Sequence, residues 1–385
     1  ESGKISRGKM FIDATYEGDL MAAAGVSYAV GREANSEYDE TISGIQRAKS
    51  LNHQMRSKIS AYRIPGDPSS GVLNGVENPD TALPDGSGDK RVQAYCFRMC
   101  LTDKEENRIP FKKPEGYREE DFELLFRNLE RAEEELGPKR VIYAMPWINS
   151  PMPNRKTDTN NRTGFSTDYI GANYDWPEAS YARRDEIRKA HLIYQQGLMW
   201  SLAYHPRVPK AIRDEVSKWG MCKDEFENGG GWQHQLYVRE ARRLKGEYVM
   251  TEHNCRRKIK APHSVGMGAY GMDSHNCRRY VDKNGFVRNE GNIEDYRGMN
   301  KPYPIDFGAI VPKRAECKNL LVPICVSSSH MAFGSIRMEP VFFALGQSAA
   351  TAAVQAIESD CAIQDIDYAK LRKRLLADGQ VLEID

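Results

Sequence analysis

The sequence predicts an α/β fold interrupted by a large α+β insertion. Three observations predict it. An apolar strand followed by a polar turn and an Ala-rich helix stands near the N-terminus, over 9–30. A second strand, polar loop and small-residue helix stands near the C-terminus, over 319–359. Between them, from Gly31 to about Gly116, the composition shifts to the Gly, Pro, Asp, Asn and Ser of loop-rich ground. A chain of this length is expected to make two domains, or one domain with a large insertion.

The first unit is KMFIDAT, Lys9 to Thr15, then Tyr16-Glu17-Gly18-Asp19, then LMAAAGVSYAV from Leu20, with Gly25 ending the helix. In open α/β sheets ligands sit beyond the carboxyl ends of strands, where Thr15 to Asp19 falls. Locally, an ordinary strand-to-helix connection with Asp19 as a cap explains the same residues.

The closing unit begins with Leu320 to Val326, a short apolar run read as a buried strand. Ser327, Ser328, Ser329 and His330 break it into a polar loop, and Gly334 permits close backbone approach. Arg337, Met338, Glu339 and Pro340 read as a helix start. Val341, Ala344, Leu345, Ser348, Ala349 and Ala352 form one face, and Gly346, Ala350 and Ala353 keep the helix slim. Such a helix admits another backbone or a flat cofactor, and its N-terminus suits an anionic oxygen. A buried helix against a sheet satisfies the same pattern.

Within the insertion, Val92 to Leu101 suggests a short strand. Cys96 and Cys100 there read as core packing, because no ligand partners stand at zinc-like spacing. Glu119 to Leu136 is an amphipathic helix with Phe122, Leu125, Phe126, Leu129 and Leu136 as its apolar stripe. Val141 to Trp147 reads as a strand. The polar, aromatic stretch 149–177 reads as surface loops that would also suit sugar-like substrates. Tyr181 to Tyr204 is a long helix ended by Pro206 and Pro209, and Ala211 to Trp219 a shorter one. Trp232 to Arg243 looks helical, with Arg239, Arg242 and Arg243 available for an anion or for ion pairs, and Glu247 to Glu252 reads as a strand. Gly266, Gly268 and Gly271 match G-x-G-x-x-G formally, but no apolar helix follows, so the stretch is read as a glycine-rich strand passing something flat. Asp273 and His275 share one side of that strand. An acid beside an imidazole tunes proton transfer, or forms a structural pair. Tyr368 to Leu376 is a small amphipathic helix.

Composition bounds the partners. The 385 residues carry a net charge of +1, with 40% hydrophobic and 28% charged residues. That balance offers no field for nucleic acid or an acidic membrane, and no apolar run reads as long enough to span a bilayer. The eight cysteines are scattered without a Cys-x-x-Cys pair. Free thiols are the default, and disulfides stay open. Oligomeric state and cellular location are not legible, and a homo-oligomer is compatible with everything above.

In order along the chain, FIDATYEGDLMAAAGVSYAVGRE, LYVREARRLKGEYVMTE, SVGMGAYGMDSH and LLVPICVSSSHMAFGSIRMEPVFFALGQSAATAAVQA resemble segments of the FAD-dependent oxidoreductase family of the glutathione-reductase-like superfold, some of whose members carry a xanthan lyase label. The resemblance implies FAD as cofactor and an incomplete Rossmann-like FAD/NAD(P)-binding domain split between 1–30 and 306–385, with a substrate or cap domain over 31–305. It places Ala14, Thr15 and Asp19 near the dinucleotide. It places Ser329, Gly334, Arg337 and Glu339 near the ribityl chain and isoalloxazine, and Gly346 and Gln347 in the helix beneath the cofactor. Asp273 and His275 then face the flavin from the inserted domain. His275 or His330 is expected to handle the proton while hydride passes between a polar, carbohydrate-like substrate and flavin N5. The family opens with a glycine-rich βαβ unit, and its last flavin strand ends in Gly-Asp. This sequence starts at Glu1 beyond such a unit and has Ser327-Ser328-Ser329 in place of Gly-Asp. The expectation is a C-terminal portion holding half of the FAD site. A polysaccharide lyase or hydrolase using His275 as base, and a carbohydrate-binding protein built on 149–177, are the competing expectations.

Overall fold

The computed structural model describes residues 3–77, 83–297 and 301–384. The two ends of the chain meet. Strand Phe11–Ile12 pairs in parallel with strand Leu320–Leu321, with Phe11 opposite Leu320 and Ile12 opposite Leu321. The loop and helix after the first strand are anchored from within: buried Asp13 accepts hydrogen bonds from the N–H and hydroxyl of Thr15 through Oδ1 and from the Met21 N–H through Oδ2. Asp13, not Asp19, thus serves the helix Asp19–Ala23, whose N-cap Gly18 contributes no side chain. Met21, Val26, Leu244, Leu320, Val322 and Cys325 close a small core around this junction.

The largest sheet is antiparallel and lies in the inserted region. Its strands run Arg108–Ile109, Gly220–Cys222, Leu101–Thr102, Lys156–Asn161 and Trp147–Met152 in spatial order. Against the expectation of surface loops over 149–177, Trp147–Met152 and Lys156–Asn161 form a six-residue hairpin ladder. Its inward positions are Thr157, Thr159 and Asn161, buried through polar pairing. Thr157 and Thr159 share a 2.9 Å hydroxyl bond, and Thr159 donates to Asn149 Oδ1 at 2.6 Å. Phe165, Asp168, Asn173 and Trp176 of the same stretch are buried too. The expected strand over 141–147 is instead a 3₁₀ turn, Val141–Ala144.

Helix Glu123–Leu136 buries Leu125, Phe126 and Leu129, where truncation of one leucine to alanine costs about 2–5 kcal/mol. Helix Tyr181–Tyr204 begins at an N-cap, Ser180, whose side chain accepts from the Arg183 N–H, and stops at His205 before Pro206. The stretch 232–242, expected to be helical, is extended, and strand Arg243–Leu244 follows it. Outside a helix, Arg239, Arg242 and Arg243 reach three separate carboxylates, Asp168, Asp19 and Glu33. Met250 of the expected 247–252 strand makes a single parallel bridge with Ser328.

A second core joins Val265, Ile305, Leu321, Phe333, Leu345 and Ala349 under the C-terminal helices. The expected polar loop 327–337 folds largely as the helix His330–Ile336, because Ser329 caps it by accepting from the Ala332 N–H at 3.2 Å. After Arg337-Met338 the chain re-enters a helix, Glu339–Ser359. By length and composition this helix is apolar enough to cross a membrane, contrary to the sequence reading, and half of its apolar window is buried within the protein. The glycine-rich strands do pass something flat: a side chain at Gly268 would meet the Tyr303 ring at 2.6 Å, and one at Gly271 would meet the Tyr296 ring.

Candidate active site

Two buried histidine–carboxylate pairs define the site. His275 follows strand Met272–Ser274, and its Nδ1 lies 2.7 Å from Asp168 Oδ2. Arg239 holds the other oxygen of Asp168 at 2.9 Å and donates through Nε to the Ala94 carbonyl at 3.0 Å. Burial alone would raise the Asp168 carboxyl; the Arg239 charge and the hydrogen bond from His275 outweigh it and hold Asp168 well below the ordinary carboxylate range. Burial pushes His275 down, and the Arg239 charge adds to that effect against Asp168. Both shifts favour a neutral imidazole beside an ionised carboxylate. A carboxylate only accepts, so Nδ1 carries the proton and Nε2 presents its lone pair. Among the described residues Nε2 of His275 has no hydrogen-bond partner.

The second pair is His330 and Glu240. His330 Nδ1 lies 2.8 Å from Glu240 Oε2. Burial would raise Glu240; His330, Arg243 and the Gln93 amide bring it below its usual range. Gln93 links the pairs. Its Nε2 donates to Glu240 Oε2 at 2.7 Å, and its Oε1 accepts from the His275 main-chain N–H at 3.1 Å. Asn173 fixes Gln93 by donating to its carbonyl at 3.0 Å.

The carboxylate beside the His275 ring is thus Asp168, distant in sequence, and not Asp273. Asp273 is half-buried and pairs with Arg337 at 3.3 Å. It stands opposite Glu294 across an antiparallel pair, and Glu294 is matched by His53 at 3.2 Å. Arg337 and His53 offset the like charges of these neighbours.

The other sequence-predicted residues are placed as follows. Ala14 and Thr15 are exposed just after the first strand. Tyr16 then packs edge-on against Phe342, ring centroids 6.1 Å apart, which brings this loop to the first turns of helix Glu339–Ser359. That helix has no side-chain N-cap bond, Glu339 in its first turn is half-buried, Gln347 is exposed, and the space beside Gly346 is open. Asp19 is committed elsewhere: Arg184 grips it twice, at 2.6 and 2.8 Å, and Arg242 donates at 2.8 Å. Ser329 donates to Glu40 at 2.5 Å besides capping its helix. Gly334 lets its helix lie on the Asp273 backbone. The arginine cluster resolves into ion pairs, Arg239 with Asp168, Arg242 with Asp19 and Arg243 with Glu33.

Asp168, Glu240, Gln93 and Arg239 are the functional candidates that sequence reasoning left without a role in proton handling. For Asp168 the local signal was a charged residue inside an otherwise aromatic stretch, FSTDYIGANYDW, and for Arg239 and Glu240 it was the arginine cluster around them.

The mixed α/β architecture, with parallel strands from both chain ends, is consistent with an FAD-oxidoreductase fold. The chain belongs to the FAD dependent oxidoreductase family, whose model matches residues 1–375. It is an enzyme, and FAD is its cofactor. No curated protein and no solved structure matches the chain.

Proposed function

We propose that the enzyme oxidises a hydroxyl-bearing, carbohydrate-like substrate, with His275 taking the hydroxyl proton at Nε2. The observation that carries this reading is the buried His275 ring, fixed through Nδ1 by Asp168 with Nε2 left without a partner among the described residues. A positioned base of this kind contributes about 10²–10⁴-fold. Asp168 fixes the tautomer, Arg239 keeps Asp168 ionised, and Gln93 sets the height of the His275 backbone. His330, oriented by Glu240 in the same manner, is the second proton-handling group.

The fit to FAD is supported by the uncapped start of helix Glu339–Ser359, the exposed Ala14 and Thr15 beside it, and the open space at Gly346. Helix N-terminal N–H groups favour anionic oxygens. Ala14, Thr15, Glu339, Gly346 and Gln347 are the residues proposed to hold the cofactor, with Arg337 and Ser329 behind them. When bound, FAD supplies the two-electron acceptor for a substrate C–H bond.

The test is anaerobic addition of sugars and polyols to FAD-loaded protein, followed by loss of flavin colour. His275→Gln is expected to slow substrate-driven bleaching by about 10²–10⁴-fold while dithionite still bleaches the bound flavin. Bleaching of the variant at the wild-type rate would overturn the assignment. Polysaccharide cleavage without flavin reduction would favour a lyase or hydrolase instead.

A further inference from the structure

The five-stranded sheet carries a second chemical feature, formed by residues other than those of the histidine pairs. Strand Leu101–Thr102 runs antiparallel to strand Gly220–Cys222, with Leu101 opposite Met221 and Thr102 opposite Gly220. The same register sets Cys100 directly opposite Cys222. Their sulfurs are 3.7 Å apart, and among the described residues this is the one sulfur–sulfur contact. Directly opposed residues of an antiparallel pair have Cα atoms about 4.5–5.5 Å apart, inside the roughly 4.4–6.8 Å that a disulfide spans. The backbone therefore needs no rearrangement to accept a cross-link.

The two thiols differ in access. Cys222 is buried, whereas Cys100 is half-buried and lines a cavity of about 360 Å³ with Arg98, Met152, Lys156, Asp158 and Gln233. The polar, charged walls suit a small zwitterionic molecule. Burial pushes the Cys222 thiol up to about 12, and burial also raises Cys100, against the nearby Lys156 charge. Cys100 is the thiol a small reagent reaches first, and Cys222 is placed to resolve the product.

We propose that Cys100 and Cys222 are an exchanging dithiol that closes to a cross-strand disulfide on reaction with a low-molecular-weight disulfide. Cys100 Sγ attacks one sulfur of that reagent as its thiolate. The reagent's S–S bond breaks, and one thiolate leaves and takes up a proton equivalent to the one Cys100 lost. Cys222 Sγ then attacks Cys100 Sγ, expels the second thiolate, and its proton completes that thiol. Two protein thiols are oxidised and one small disulfide is reduced to two thiols.

The experiment is to incubate the FAD-loaded, reduced protein with glutathione disulfide, quench in acid, alkylate under denaturing conditions and map peptides without reduction. The expected result is one cross-linked pair, Cys100 with Cys222, and six alkylated cysteines. Cys222→Ser should stop at a glutathione adduct on Cys100, and Cys100→Ser should leave Cys222 unmodified. A stable glutathione adduct on Cys100 in the wild type, or full alkylation of both residues after prolonged exposure, would overturn the proposal. The wild-type map decides the matter even where a serine variant folds poorly.

Discussion

Gln93 and Glu240 share a buried 2.7 Å hydrogen bond that joins two histidine–carboxylate pairs into one assembly. Through its other amide atom Gln93 receives the His275 N–H. The arrangement is rigid because every member is buried and each bond constrains the next. Gln93→Leu keeps the volume and removes both bonds, so a carboxylate oxygen and a main-chain N–H lose a partner. The expected cost is about 1–3 kcal/mol, read as a lower urea midpoint. A midpoint equal to wild type would show that the link contributes nothing.

Asp168 stands between a histidine and an arginine, and its removal strands both. Asp168→Asn leaves the Arg239 guanidinium without its countercharge at a fully buried position. Breaking a buried pair from one side costs about 3–5 kcal/mol. The amide can also offer its N–H to His275 Nδ1, which would turn the ring to the tautomer with Nε2 protonated. We expect substrate-driven flavin reduction to fall by about 10²–10⁴-fold, with FAD still bound. Asp168→Glu, which restores the charge, should recover part of that loss, and a purely structural role would give no such recovery.

Stability should fall on mild acidification, before most carboxylates titrate. His191 is buried, its Nδ1 donating to the Ile187 carbonyl at 2.8 Å, and burial lowers it to about 4. His275 is lowered as well. A histidine whose folded value lies below its unfolded one binds its proton more readily in the unfolded chain. Its contribution is therefore complete above the unfolded value of about 6.5 and is lost as pH falls toward the folded value. For His191 the window runs from about 6.5 down to about 4, and the loss across it is on the order of 3 kcal/mol. Urea midpoints measured across this window should drop, and His191→Leu should flatten the drop. An unchanged slope in that variant would remove His191 as the cause.

Much of the helical framework was legible because it is written in apolar periodicity and stop signals. Tyr181–Tyr204 matches to the residue, since Ser180 and Pro206 punctuate it. The strand, turn and small-residue helix at each chain end were legible, but the pairing of Phe11–Ile12 with Leu320–Leu321 was not written in either segment and was suggested only by the family resemblance. The hairpin over 147–161 was not, because its buried face is Thr157, Thr159 and Asn161, and an alternation of polar with polar leaves no apolar signal. Of the candidate site, His275 and His330 could be singled out by residue type, whereas Asp273 pairs with Arg337 instead. Their partners could not, because Asp168 and Glu240 lie 107 and 90 residues away in sequence. Long-range pairing of charged groups is set by the packed backbone, and no local spacing encodes it.

Two glycines of adjoining helices should respond oppositely to alanine. At Gly334 a methyl group would lie 2.6 Å from the Asp273 carbonyl oxygen and 3.2 Å from its nitrogen, both backbone atoms that cannot swing aside. Alanine gains about 1 kcal/mol of helix propensity there, but overpacking costs about 1–3 kcal/mol and displaces the strand that leads into His275. At Gly346 a methyl group meets nothing within 4 Å, so Gly346→Ala should raise stability by about 0.5–1 kcal/mol. The same variant tests the cofactor's position. If helix Glu339–Ser359 lies against FAD at Gly346, the added methyl enters that contact, and the stabilised protein should bind FAD several-fold more weakly in a fluorescence titration. Stabilisation with unchanged FAD affinity would move the cofactor away from Gly346.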